Sequence, residues 1–206
     1  MIAVIDYGVG NLFSLSCSLK KIGADSIITN DKDVIKKASA LILPGVGAFG
    51  DATTKLRENA LDRTIKETAL SGKPLLGICL GMQLLFDKSY EYGEHSGLGL
   101  IGGYVDALSN YVPHLKIPHM GWNSLNIKAR DCPIIKYTSD KEYVYFVHSY
   151  CGICKDSGNL VATTDYGIDV TAIVWNGNNI FGTQFHPEKS SDAGLKILKA
   201  FVELGE

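Results

Sequence analysis

The chain has 206 residues, enough for one domain or two at most at roughly 100–200 residues per domain. Hydrophobic residues make up 46% and charged residues 20%, which allows a sizeable core and excludes wholesale disorder; 20 Lys+Arg against 22 Asp+Glu leave a formal net charge of −2, which excludes a general attraction for nucleic acid or an acidic membrane. No apolar run approaches the ~20 residues that span a bilayer, the opening Met1-Ile-Ala-Val-Ile-Asp6 lacks the basic start and long apolar run of a signal peptide, and five cysteines, an odd number, make no disulfide scaffold, so a cytoplasmic, soluble enzyme domain is expected.

The first half alternates strand and helix. Residues 2–5 form a short apolar run rich in branched side chains, stopped by Asp6-Tyr-Gly-Val-Gly-Asn11. Leu12, Leu15, Leu19 and Ile22 then recur at helical spacing until Gly23. Residues 26–29 read as a second strand, Asp31-Lys-Asp33 opens a short helix through Lys37, and residues 40–43 form a third strand closed by Pro44-Gly-Val-Gly47. A longer helix carrying Leu56, Ala60, Ile65 and Ala69 ends at Ser71-Gly72. Residues 75–79 form a fourth strand, nearly all apolar, and residues 80–87 resume helical character. Such alternation, with apolar strands, implies a parallel sheet covered on both faces.

The second half is β-rich. Residues 143–147, 160–164, 170–174 and 180–184 are short β-prone runs, and Trp175-Asn-Gly-Asn-Asn179 joins the last two through an Asn-Gly hairpin signal. A helix from about Asp192 to Leu204 closes the chain, with Ser190 or Ser191 as its cap. No internal repeat, low-complexity tract or linker interrupts the 206 residues, and one α/β domain over 1–206 fits.

Gly77-Ile-Cys79-Leu-Gly81, between the fourth strand and its helix, has the G-x-nucleophile-x-G form of a nucleophile elbow with Cys in place of Ser. The next backbone N–H, on Leu80, sits at a helix N-terminus and can face an oxyanion. Alone, Cys79 reads equally well as a buried strand-end cysteine, and a nucleophile needs a base. His186 in Gln184-Phe-His-Pro-Glu188 supplies one. Glu188 lies two residues on, on the same face of an extended segment, where its carboxylate can orient the ring and stabilise the imidazolium.

Gly77-Ile-Cys-Leu-Gly-Met-Gln83 and Gln184-Phe-His-Pro-Glu188 together resemble the paired catalytic motifs of the class I glutamine amidotransferases. The likeness runs over nearly the whole chain. More narrowly, the chain is similar to the glutaminase subunits of imidazole glycerol phosphate synthases, through Asp6-Tyr-Gly-Val-Gly-Asn11, Pro44-Gly-Val-Gly-Ala-Phe-Gly50, Ile117-Pro-His-Met-Gly-Trp-Asn123, Val147-His-Ser-Tyr150 and His186-Pro-Glu-Lys-Ser190. The resemblance implies an α/β fold of flavodoxin-like type, with a mostly parallel central sheet flanked by helices. It implies a Cys79-His186-Glu188 triad that hydrolyses L-glutamine, oxyanion donors at Leu80 and Val46, and glutamine contacts at Gly47, Gln83, Glu91, His148, Ser149 and Tyr150. Charge makes Glu91 the partner of the α-ammonium. The resemblance further implies no cofactor or metal, a heterodimer with a cyclase subunit, and a docking surface carrying Asn11, Met120, Trp122, Tyr145 and Lys189. It also implies low glutaminase activity alone, stimulated when the partner binds its ligand.

Other readings are weaker. Gly45-Val-Gly47-Ala-Phe-Gly50 matches G-x-G-x-x-G, but the strand after the following helix ends in Cys79, where a dinucleotide site needs a ribose-binding acid. Cys151-Gly-Ile-Cys154 has no second ligand pair for zinc and follows a β-run, whereas thioredoxin-like chemistry needs a helix start. Among functions, the alternatives are a related glutaminase feeding another synthase, for example in surface-sugar assembly, a stand-alone cysteine hydrolase of γ-glutamyl compounds, and a catalytically silent binding module. Retention of all three triad residues argues against the last.

Overall fold

The computed structural model describes residues 1–205. Strand β1 (Ile2–Ile5) is buried throughout, and helix α1 (Leu12–Lys21) lays Leu15 and Leu19 against it, with Lys20 and Lys21 at the negative end of the helix dipole. After β2 (Ser26–Thr29), the Asp31 side chain accepts the N–H groups of Asp33 and Val34 and so starts α2 (Lys32–Lys37). Strand β3 (Ala40–Gly45) runs two residues further than its apolar stretch suggests.

The long helix expected up to Ser71 is two helices, α3 (Phe49–Glu58) and α4 (Leu61–Leu70). Leu56 and Leu61 are both fully buried. Five positions apart on one continuous helix they point about 140° from each other; a break at Ala60, whose φ is 51°, turns both onto the core.

Strand β4 (Leu75–Cys79) leads into α5 (Leu80–Leu84), which is shorter than expected. Leu84, Leu85 and Phe86 are all buried, three in a row, which one face of a helix cannot achieve. The chain instead enters β5 (Phe86–Ser89), β6 (His95–Ser96) and β7 (Ile101–Ala107), none of them legible in the sequence. Next come β8 (His119–Ile127), β9 (Tyr143–His148), β10 (Tyr150–Cys154), β11 (Leu160–Asp165), β12 (Asp169–Trp175), β13 (Ile180–Thr183) and α6 (Ser191–Val202). The β12–β13 hairpin turns through the Asn-Gly pair, with Gly177 at φ 80°.

Nine strands form one sheet in the order β2-β1-β3-β4-β13-β12-β11-β8-β9. The five from β2 to β13 are parallel neighbours, and the remaining pairings are antiparallel. Alternate residues of each central strand point to opposite faces. Val4, Ile42 and Ile78 pack with α1 and α6, while Ile5, Leu43 and Leu75 pack with α2, α3 and α4. A second sheet, β10-β7-β5-β6, is entered first after α5, at β5, and again where the chain leaves β9 and passes Ser149 into β10. No helix among the described residues is long and apolar enough to cross a membrane.

Candidate active site

Cys79 ends β4 with φ 55° and ψ −110°, a strained conformation for a residue with a Cβ. The glycines on either side permit it. A Cβ on Gly81 would stand 1.8 Å from the Leu43 carbonyl oxygen, and one on Gly77 would stand 2.6 Å from the Gly81 oxygen. Strand β4 and α5 therefore meet at a turn that only small residues allow, and the Cys79 side chain is directed into a cavity of about 650 Å³. That cavity lies beyond the carboxyl ends of β3 and β4, where open parallel sheets place their ligands.

His186 borders the same cavity. Its Nδ1–H donates to Glu188 Oε1 at 2.8 Å, and both side chains are only 3% exposed. Burial by itself would lower this imidazole. Pairing with Cys79 and Glu188, by hydrogen bonding and by charge, outweighs burial and raises it to about 10. The ring thus sits between a sulfur and a carboxylate that both favour its protonated form. The backbone of the same segment is fixed from β9, since His186 N–H donates to the Tyr145 carbonyl at 3.0 Å. Ser190 does not cap α6 with its side chain. It accepts the Tyr145 N–H at 2.9 Å and donates to the His186 carbonyl at 2.6 Å.

Val46, Gly47, Cys79, Leu80, Gln83, Glu91, His148, Ser149, Tyr150 and His186 all line the cavity, with Glu188 behind His186. Glu91 Oε2 accepts the Phe49 N–H at 2.6 Å at the start of α3. Burial raises its carboxyl, partly offset by that N–H. Gln83 Nε2 donates to the Tyr150 carbonyl at 3.0 Å and to Gln184 Oε1 at 3.1 Å, tying α5 to both sheets. Leu80 is the first residue of α5, so its N–H has no partner within the helix.

The five candidate docking residues lie outside the cavity. Trp122 and Tyr145 are cross-strand neighbours on β8 and β9 with ring centroids 6.0 Å apart, and Met120 lies two residues before Trp122 on the same face. Met120 is 60% and Trp122 50% exposed. Lys189 is exposed in the turn after His186, and this turn packs near α1, which Asn11 precedes.

Sequence reasoning missed three residues of this neighbourhood. Tyr7 is buried and its hydroxyl donates to the Pro44 carbonyl at 2.9 Å, pinning the start of the loop that carries Val46. Gln184 Nε2 lies 3.8 Å from the Cys79 sulfur. His119 lies 3.0 Å from His148. Each stands inside a motif quoted for resemblance; the available signal was a polar group bordering an apolar strand. Cys151 and Cys154 are three residues apart on β10 and face opposite ways, Cys151 toward Leu108 and Val170 and Cys154 toward the main core. They cannot chelate one ion as a pair.

The family described as "Glutamine amidotransferase class-I" matches residues 3–204. The chain is 50% identical over 205 residues to "Imidazole glycerol phosphate synthase subunit HisH" of Sulfurimonas denitrificans, covering 98% of each chain. It is also 50% identical over 203 residues to the subunit of that name in Lactococcus lactis subsp. lactis, again covering 98% of each. Among solved structures, a crystal structure of a glutamine amidotransferase superposes with a TM-score of 0.78 at 19% identity, covering 100% of this chain and 99% of that one. PurLQS from Thermotoga maritima gives 0.76 at 22% identity, covering 98% and 97%; at these identities the likeness is one of fold. With matches of this extent to the family and to its HisH members, the chain belongs to the class I glutamine amidotransferases and, within them, to the imidazole glycerol phosphate synthase HisH subunits.

Proposed function

We propose that this chain, acting as one domain over residues 1–206 in the cytoplasm, is the glutaminase subunit of imidazole glycerol phosphate synthase in histidine biosynthesis. It works in a heterodimer with the cyclase subunit, HisF, and delivers ammonia to it. The observation that carries the reading is a cysteine on a strained elbow sharing one cavity with a buried His-Glu pair.

In the proposed reaction His186 takes the Cys79 proton, and the thiolate attacks the carboxamide carbon of glutamine. Negative charge on the amide oxygen is met by the N–H groups of Leu80 and Val46. As the tetrahedral adduct collapses to a thioester, His186 gives its proton to the departing amine and ammonia leaves. His186 then takes a proton from water, which attacks the thioester and releases glutamate and the Cys79 thiol. Glu188 holds the ring and balances its charge. At the other end of the substrate, Glu91 receives the α-ammonium, while Gly47, Gln83, His148, Ser149 and Tyr150 shape the pocket. Transfer inside the complex keeps ammonia from becoming ammonium in neutral water, where it is no nucleophile. This gives the face of exposed Met120 and Trp122 and half-buried Tyr145, together with Asn11 and Lys189, its use as a docking surface.

The test is ammonia release from glutamine, measured with and without the cyclase and its nucleotide substrate. Release is expected to rise when both are present. Cys79→Ala should abolish it while the fold, monitored by circular dichroism, remains; retained turnover rejects the nucleophile.

A further inference from the structure

The β8–β9 pair has two faces. Outside it carries Met120, Trp122 and Tyr145. Inside, its register sets His119 opposite His148, both buried. His119 Nδ1 is 3.0 Å from His148 Nε2, and His119 Nε2 is 3.0 Å from Asn123 Oδ1. Asn123 Nδ2 donates to the Asp165 carbonyl at 3.0 Å, and His148 Nδ1 lies 2.9 Å from the Tyr150 carbonyl. Four contacts thus join one backbone carbonyl to another through an amide and two imidazoles.

Each contact needs one proton. The two carbonyls bring none, the amide brings one in line, and each neutral imidazole brings one. Three protons therefore serve four contacts while both rings are neutral. A fourth proton on His119 fills the chain, since this ring then donates to Asn123 from Nε2 and to His148 from Nδ1. His148 keeps its own N–H on Nδ1, directed at the Tyr150 carbonyl, and accepts at Nε2.

The surroundings distinguish the two rings. His119 stacks on Tyr166 at 4.1 Å and on Phe146 at 4.8 Å between ring centroids, and π faces of this kind attract a cation. His148 has His186 and His119 as its charged neighbours, and both oppose a positive charge on it. The Tyr166 hydroxyl is occupied with the Lys116 carbonyl, and the Asp165 carboxylate with the Gly167 N–H. Among the described residues, no carboxylate hydrogen-bonds either ring.

We propose that His119 is a positioning residue for glutamine binding and the proton-accepting member of this chain. Through His148 it fixes the Tyr150 carbonyl at the cavity wall, and on acidification it takes up the fourth proton. The Tyr150 carbonyl also receives Gln83 Nε2, so a displaced His148 disturbs two sides of the pocket. The inference rests on the glutamine pocket assigned above. Burial lowers both rings from their ordinary value, His148 to about 3, which agrees with His119 being the first of the two to charge.

Two measurements test it. Nitrogen-15 NMR of the imidazoles in the unaltered chain, from about pH 8 to about pH 5, is expected to show His119 protonated on both nitrogens while His148 Nε2 stays bare. Protonation of His148 first, or no titration of His119 across the range, overturns the assignment. Calorimetry with glutamine on Cys79→Ala, which leaves the substrate unreacted, is expected to show an affinity about tenfold lower when His119→Phe is added, since a hydrogen bond to the pocket wall is lost. His119→Gln retains a donor toward His148 and should restore most of that affinity. If Cys79→Ala itself takes up no glutamine, the pocket assignment fails and this inference with it. If it binds and His119→Phe changes nothing, or His119→Gln is as weak as His119→Phe, the positioning role alone is rejected.

Discussion

Glu188 has its two carboxylate oxygens in different situations. Oε1 accepts from His186, whereas Oε2 is buried with no hydrogen-bond partner. Such an arrangement is tolerated because the adjacent imidazolium compensates the charge. A histidine raised in the folded state binds its proton more tightly there than in the unfolded chain. Its contribution to stability is therefore complete below about pH 6.5 and drains away as pH rises toward about 10. Glu188→Gln removes one of the groups that raise the ring. The expected results are a lower His186 value by NMR titration, a loss of stability that is complete at lower pH and smaller in size, and turnover reduced roughly 10²- to 10⁴-fold. An unchanged His186 titration would remove Glu188 from the triad.

At the scale of the element, the elbow is a packing device before it is a chemical one. Gly81 lets α5 rest directly on the backbone of β3, next to the positive-φ turn at Cys79. Gly81→Ala drives a methyl into the Leu43 carbonyl, and no flexible side chain is available to yield. Destabilisation of about 3 kcal/mol or more is expected in denaturant unfolding, with ammonia release lost even where the chain still folds. A stable, active variant would show that the two elements separate more easily than their contact implies. The β8–β9 pair makes a second case. Because side chains alternate with a period of two, a single register serves both an exposed aromatic face and a buried imidazole chain. A slip of one residue exchanges them.

Across the whole molecule, the parallel half of the large sheet presents Cys79 at the end of β4 and His186 just past β13, and the antiparallel half supplies the Tyr145 backbone that braces His186. The cavity therefore lies between the core of the sheet and the face proposed to meet the cyclase. Only a few backbone bonds separate the two. The thiol of Cys79 is 3.9 Å from the Val147 carbonyl, and Val147 is the cross-strand neighbour of Met120. Docking on that face thus has a short mechanical route to the proposed nucleophile. Trp122→Ala should weaken binding of the cyclase subunit about 30-fold in a calorimetric titration, the cost of losing a central aromatic anchor of about 2 kcal/mol, without changing the isolated chain's melting temperature by more than a few degrees. Unaltered affinity would exclude this face as the interface.

The sequence by itself determined the central strands, because residues 2–5, 40–43 and 75–79 are apolar on both faces and bounded by glycine turns, although it ended the third two residues short. It also determined the nucleophile candidate and its base, since a glycine-flanked cysteine at a strand end and a His-Pro-Glu segment are local patterns with local causes. Tertiary structure decided where the helix after β3 breaks, because Leu56 and Leu61 conflict only once both must reach the same core. It also decided the second sheet, whose strands carry glycines and charges that mask their alternation and find their pairing at long range. The imidazole chain was beyond the reach of sequence for the same reason. His119 and His148 are 29 residues apart, and only the register of two antiparallel strands brings their nitrogens within bonding distance.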